Sequence, residues 1–460
     1  MKTILNARPL VTALTAIFVA GFTPQASAQT SDKVQETPLT PVPPFTSPPS
    51  VTLPPAVPAS QSLTLGQAED RAVAQNPQLL AALATMKGAR SNYVGQRAPI
   101  NPTLNFSGIN NTVSSADFGD ASNYEFLFTL ETNGAMQWRS STTRNQWLGA
   151  QSDLETAKIS VRQSVGTAYV ALQVANRQLE IEKDSYSTAR QLADLTEGQF
   201  KLGAAPETNA IRARIALTQE ESNLMQAVNT VAAARAALDI AIGREAKEPI
   251  DAAEPLQFKP VNTSLADLRK LALVRRPEIQ SAGHYLDAAK ANVGLQRTQY
   301  LPDLFLATDL HAIHNGTFQV GFTMPLFDFG SIRGNVHQAE HTAEAQSAQS
   351  TQTTQLVTLD VENAYNELER AQNTVIAFQD GILNRALGLL QRVEQGYKLG
   401  ANTILDLIDA QTTYRSSQND YANALGDHRR AIVNLEHAIG GPIPTPAPAD
   451  QGAGSAVKEN

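Results

Sequence analysis

The chain has 460 residues, 42% of them hydrophobic and 17% charged, with a formal net charge of -8 and no cysteine. The missing cysteine excludes a zinc–thiolate site, a thiol nucleophile, a disulfide framework and a lipidated N-terminal cysteine. The acidic balance leaves no basic stripe to track phosphates, which speaks against nucleic acid as a partner.

Residues 1–28 read as a signal peptide. Lys2 and Arg8 form its positive region, residues 10–22 its apolar core and Ala26-Ser27-Ala28 its small-residue cleavage site. That core is too short for a membrane span, which needs about 20 residues. Residues 29–60 follow as a proline-rich segment, with nine of the 25 prolines between positions 36 and 60. Such a run lacks backbone donors and regular apolar spacing, so it reads as an extended linker.

A first structural repeat spans 61–261. It opens with a short helix over LTLGQAEDRAVAQ, broken at Asn76-Pro77, and a second helix over 78–96. Two alternating segments, TLNFSGIN and NYEFLFTLET, predict strands joined by a polar loop over 110–121. The second segment puts Tyr124, Phe126, Phe128 and Leu130 on one face. Residues 135–200 contain no proline and predict a helix about 100 Å long, and 207–242 predict another of roughly 50 Å. Leu154, Val161, Val165, Ala168 and Leu172 form an apolar stripe at coiled-coil spacing. Ala232, Ala233, Ala234, Ala236 and Ala237 permit close helix approach.

A second repeat spans 262–440, after the joint PIDAAEPLQFKPVNTS, and has the same internal order. SLADLRKLALVRR precedes Pro277, a helix follows over 278–299, and DLFLATDLHAI and TFQVGFTMPLF predict strands. Phe318, Val320, Phe322 and Met324 share a face, and His314-Asn315-Gly316 marks a tight turn. Helices are expected over 331–397 and 403–439, with a weaker stripe at Leu356, Leu359, Asn363 and Leu368. The duplication is direct. Phe200-Lys201-Leu202-Gly203 recurs as Tyr397-Lys398-Leu399-Gly400, and Ala241-Ile242-Gly243 as Ala438-Ile439-Gly440, both 197 residues on. Asn76-Pro77 matches Arg276-Pro277, and Pro102-Thr103-Leu104 matches Pro302-Asp303-Leu304, both at 200. Residues 441–460 read as a disordered tail.

Four strands cannot close a membrane barrel, since the smallest have about eight. Either they form an ordinary soluble sheet or several chains contribute four each. The long, half-polar helices favour the second arrangement and a hollow helical cylinder; a rod-like structural or adhesive coiled coil is the alternative.

In this order the motifs resemble the TolC-like outer membrane efflux (outer membrane factor) family. The residues that carry the resemblance are Asn76-Pro77, the strand start at Pro302, the strand-to-helix run Pro325-Leu326-Phe327-Asp328-Phe329-Gly330, and the paired Lys-Leu-Gly turns. Each of those turns leads into a helix ending in Ala-Ile-Gly. The first repeat departs at Glu131-Thr132-Asn133-Gly134, which lacks the proline and aromatics of that run. The resemblance implies a mixed α/β membrane protein. Its homotrimer would form a 12-stranded outer-membrane β-barrel, four strands per chain, continuing into a long periplasmic α-helical coiled-coil barrel. Implied partners are a periplasmic adaptor, an inner-membrane pump and outer-membrane lipid, with barrel insertion as the only anchor. The implied role is passive efflux of small molecules or drugs. A type I protein-secretion duct and a heavy-metal efflux channel are the alternatives within the class.

The resemblance also assigns residues. Asp406 and Asp409, three apart on one helix face, match the aspartates of the periplasmic aperture; six carboxylates there would favour cations. Tyr397 matches the tyrosine of the gate's hydrogen-bond network. Asn402 stands where a gate arginine is found in the best-known member, so the lock is expected to be wired differently. Without the resemblance, the aspartates read as solvated residues favoured by a helix N-terminus. Lys201, Leu202, Gly203 and Lys398, Leu399, Gly400 form helix–turn–helix tips that would face the adaptor. His337 and His341 lie four apart, and such a pair needs further ligands to form a dedicated zinc site; no metal and no cofactor is assigned. No G-x-S-x-G, H-E-x-x-H, P-loop or dinucleotide motif is present, and isolated acids such as Glu180 and Asp184 read as a wet helix face. No catalysis is expected.

Overall fold

The computed structural model describes residues 61–108, 122–244, 250–311 and 315–444. The expected signal peptide, the proline-rich segment, loop 110–121, His314 and the tail beyond 444 lie outside them. Each repeat begins with capped helices. In the first, strand β1 (Gln61–Leu63) leads into α1 (Leu65–Gln75), whose N-cap Thr64 exchanges hydrogen bonds with Gln67 in a capping box. Asn76 is held extended by the proline that follows, and its side chain caps α2 (Pro77–Gln96). Its Nδ2 also donates to Ala241 O at 2.9 Å, tying the repeat's start to its end.

Strands β2 (Thr103–Gly108) and β3 (Ser122–Leu130) follow, then α3 (Ala135–Lys201) and α4 (Glu207–Ile242). The second repeat retraces this path after β4 (Ile250–Ala252), with α5 (Leu265–Arg275), α6 (Pro277–Thr298), β5 (Asp303–His311) and β6 (Asn315–Thr323). Arg276 makes the same tie between the repeat's ends, its Nη1 donating to His437 O at 2.8 Å, but gives α6 no side-chain cap. Strand β6 stops before Pro325, which has no N–H for a ladder, so the expected strand does not extend through Phe327. The helix expected over 331–397 is also not continuous in type. It comprises α7 (Ser331–Ala377), a π-helical turn at Phe378–Ile382, and α8 (Leu383–Lys398). The last helix, α9, is Ile404–Ile439.

The repeats are not separate domains. Helix α3 packs along α4, α6 and α9, and glycines allow the closest approach: a Cβ on Gly166 of α3 would lie 2.8 Å from Val433 of α9, and one on Gly426 of α9 would meet Val174 of α3. Each repeat has its own apolar core, around Val161, Val165, Tyr169, Leu172 and Leu238 in the first and Val357, Val361, Leu368 and Leu435 in the second. The stripe expected in the first repeat holds. In the second it is displaced: Leu356, Leu359 and Asn363 are exposed, and Val357 and Val361 take the buried positions. The joint between the repeats is part of the structure, because β4 pairs in parallel with β1.

Candidate functional site

The four longer strands form one antiparallel sheet in the order β2-β3-β5-β6. Its register sorts side chains by face. Leu104 pairs with Phe126, Phe128 with Leu306, Leu130 with Leu304, Leu304 with Phe322, and Leu306 with Val320. The opposite face pairs Asn105 with Glu125 and Ala307 with Gln319, and Phe305 there lies flat over Gly321, where a Cβ would meet its ring. Phe318 and Phe322 are 69% and 70% exposed. One face is therefore apolar and aromatic, and at Leu104, Phe126, Phe318, Val320 and Phe322 it is largely uncovered by the chain, which in water would be unfavourable. Among the described residues no helix is long and apolar enough to cross a membrane.

Both repeats leave the sheet the same way. Gly134 (φ +80°) and Gly330 (φ +99°) adopt the left-handed conformation just before α3 and α7. Asn133 Oδ1 accepts from Ala135 N at 2.9 Å, and Asp328 accepts from the N–H groups of Gly330, Ile332 and Arg333. The first exit thus keeps an Asx–glycine turn, although the proline and aromatics are missing from its sequence.

At the far ends, α3 and α8 both close in Schellman turns. Ala204 N–H donates to Gln199 O at 2.8 Å and Ala401 N–H to Gly396 O at 2.8 Å, with Gly203 and Gly400 at positive φ. Leu202 and Leu399 project from the two tips, each 85% exposed. Lys201 pairs with Glu197 and Lys398 with Glu394, both at 2.9 Å. Beneath the tips a shared cluster joins the repeats: Leu192, Ala193, Ala213, Ile404 and Leu407, with Tyr397 packed against them. Burial there raises the Tyr397 phenol pKa; among the described residues its hydroxyl makes no hydrogen bond within the chain.

The other proposed gate residues stand close by. Asn402 folds back over Gly396 and donates from Nδ2 to Val393 O at 3.3 Å. Asp406 is the third residue of α9 and completes a capping box: Thr403 N and Oγ1 donate to its Oδ2 at 2.8 and 2.7 Å. These bonds hold its carboxyl below the usual carboxylate range. Asp409 is exposed one turn on. The sequence gives Asp406 a helix-capping job independent of any pore, and leaves Asp409 uncommitted. One cluster has no signal in the sequence because three helices build it. Arg415 of α9 bridges Glu182 of α3 and Glu220 of α4 at 3.2 and 3.3 Å, and Asn419 donates to Glu182 at 2.7 Å.

A four-stranded antiparallel sheet with one apolar face is thus joined to paired, duplicated long helices. The sequence profile described as "Outer membrane efflux protein" matches residues 69–244 and 268–441, and the chain belongs to that family. It is similar to the toluene efflux pump outer membrane protein TtgI of Pseudomonas putida, 23% identical over 395 residues that cover 81% of this chain and 84% of the relative. It is also similar to the cation efflux system protein CusC of Escherichia coli K12, 24% identical over 397 residues and covering 80% and 85%. Its fold matches the open-state outer membrane channel MtrE of Neisseria gonorrhoeae with a TM-score of 0.70, at 21% identity, over 82% of this chain and 89% of the other. The protein is an efflux channel component of the bacterial outer membrane with its helices in the periplasm, and not an enzyme.

Proposed function

We propose that three copies of the chain close into one passive duct, a twelve-stranded β-barrel continuing into a twelve-helix tunnel. The observation that carries this reading is the four-stranded sheet, apolar on one face, with β2 and β6 as its free edges. Lipid tolerates no unpaired strand edge. An even, wholly antiparallel set lets β6 of one copy pair with β2 of the next in the same sense, so head-to-tail addition closes a ring. Purified protein should run as a trimer and conduct ions in planar bilayers; a soluble periplasmic monomer would overturn the reading.

The duct supplies no energy, which comes from an inner-membrane pump joined through a periplasmic adaptor. Toluene and cation efflux in the names of the two relatives favour small molecules over secreted protein as cargo. Asp406 and Asp409 from three copies place six carboxylates at the periplasmic aperture, with Tyr397 and Asn402 holding the turn behind them. Replacing both aspartates by Asn should raise conductance and weaken cation preference; unchanged single-channel behaviour removes the gate assignment. Lys201-Leu202-Gly203 and Lys398-Leu399-Gly400 meet the adaptor. Leu202→Ser with Leu399→Ser should therefore abolish efflux while membrane insertion stays normal.

A further inference from the structure

Four residues of α7 repeat a simple spacing on one helical stripe: His337, Glu340, His341 and Glu344. The duct described above uses none of them. Steps of three and four bring both imidazoles to one face, a turn apart, and each ring is already oriented. Nδ1 of His337 lies 3.0 Å from Glu340 Oε2, and Nδ1 of His341 lies 3.1 Å from Glu344 Oε2. A carboxylate in that position accepts a hydrogen bond from Nδ1–H and so leaves the lone pair on Nε2, the arrangement found behind metal-bound histidines. Glu340 is itself fixed from α6, where Arg297 donates to its Oε1 at 2.7 Å. Both imidazoles are open to solvent in the chain, 60% and 75% exposed.

We propose that His337 and His341 form a two-histidine clamp for a borderline divalent transition-metal cation such as Zn2+, Ni2+ or Cu2+. The clamp lies on the side of α7, about 9 Å along the helix from its start. Imidazole nitrogen suits these ions, whereas Mg2+ and Ca2+ demand oxygen ligands. Among the described residues no group of three or more His, Cys, Asp or Glu side chains is placed to hold a metal. Water therefore fills the remaining positions, and the site exchanges its ion rather than locking it in as a structural zinc does. His337-x-x-Glu340-His341 has the spacing of the inverted zinc-peptidase motif. Here Glu340 is engaged by Arg297 and His337, so it serves as an orienting group and not as a base for hydrolysis.

The test is calorimetric titration of the full-length protein, purified without a polyhistidine tag, with ZnCl2. Wild type should take up about one Zn2+ per chain, and His337→Ala with His341→Ala should lose that uptake. Glu344→Gln, which keeps both ligands, should weaken binding about 10–100-fold. Both histidines are exposed on a helix, so the variants should match wild type in circular dichroism and membrane insertion. No zinc uptake by wild type, or equal uptake by wild type and the double histidine variant, overturns the proposal. Neither outcome depends on whether the duct conducts.

Discussion

The two repeats follow one path but are not built alike. In the first, α3 runs from the sheet to the tip as unbroken α-helix. In the second the same distance contains one more residue, because Gly134 and Gly330 stand 196 apart whereas Phe200 and Tyr397 stand 197 apart. The extra residue is absorbed by the π turn at Phe378–Ile382, and Asn384 Nδ2 donates to Gln379 O there at 3.2 Å. The tip helices start differently as well. Pro206 gives α4 no side-chain cap, while its counterpart Thr403 forms a capping box with Asp406. Buried Val231 is matched 197 residues on by fully buried His428, whose ring nitrogens have no hydrogen-bond partner among the described residues. Duplication set the route of the chain; the π turn, the capped start of the tip helix and buried His428 are all in the half that carries Asp406 and Asp409.

The largest effect that would break this contrast is at Arg415, whose counterpart in the first repeat is Thr218. Arg415→Ala leaves buried Glu182 without its cation, with Asn419 still donating to it, and should cost about 3 kcal/mol of stability; Thr218→Ala should barely change the melting temperature. Next come the paired glycines that close α4 and α9. Gly243→Ala and Gly440→Ala should each cost about 1–2 kcal/mol for the left-handed backbone. Gly243→Ala should add about 1–3 kcal/mol of overpacking, because its Cβ would lie 2.7 Å from Asn76 Cα, against 3.3 Å from Arg275 C at Gly440. Denaturant unfolding of the purified protein should rank them in that order.

His428 sharpens the contrast through pH. Burial, aided by nearby Arg429, pushes its pKa down to about 4. The unfolded chain then binds the proton first, so stability is full above pH 6.5 and falls as pH drops toward 4. His428→Val should remove that histidine's share of the decline in melting temperature across this window. The smallest effect belongs to Thr403→Ala, about 1 kcal/mol for a lost cap. Part of the cap's contribution depends on ionised Asp406. Its carboxyl is held low by Thr403, so that part is present above the ordinary aspartate pKa and disappears as pH falls below it.

Much of this architecture was legible in the sequence because its signals are local. Proline-free tracts, Lys-Leu-Gly turns and residues before Pro77 and Pro277 fixed helix ends to within a residue or two, and alternation in 317–323 found the apolar face of β6. The misses were long-range or a matter of phase. A three-residue strand such as Gln61–Leu63 has no periodicity to detect and exists through its partner at Ile250. The stripe misplaced at Leu356 and Leu359 lies one and two positions from Val357 and Val361, and in a polar-rich tract leucine does not identify the buried face. The Arg415 cluster joins two consecutive helices of the first repeat to the last helix of the second, and nothing in any one of them points to it. The roles of Asp406, Asp409, Tyr397 and Asn402 came from resemblance; the residues themselves specify a well-capped turn.

The short parallel ladder between Gln61–Leu63 and Ile250–Ala252 has a consequence in time as well as in space. It forms only after the whole first repeat has brought its two ends together, and Tyr169 then fastens it, donating to Leu63 O at 3.0 Å and accepting from Glu254 N–H at 3.2 Å. A contact of such sequence separation is intrinsically slow to form. The ladder is therefore expected to be among the last contacts of the first half to form.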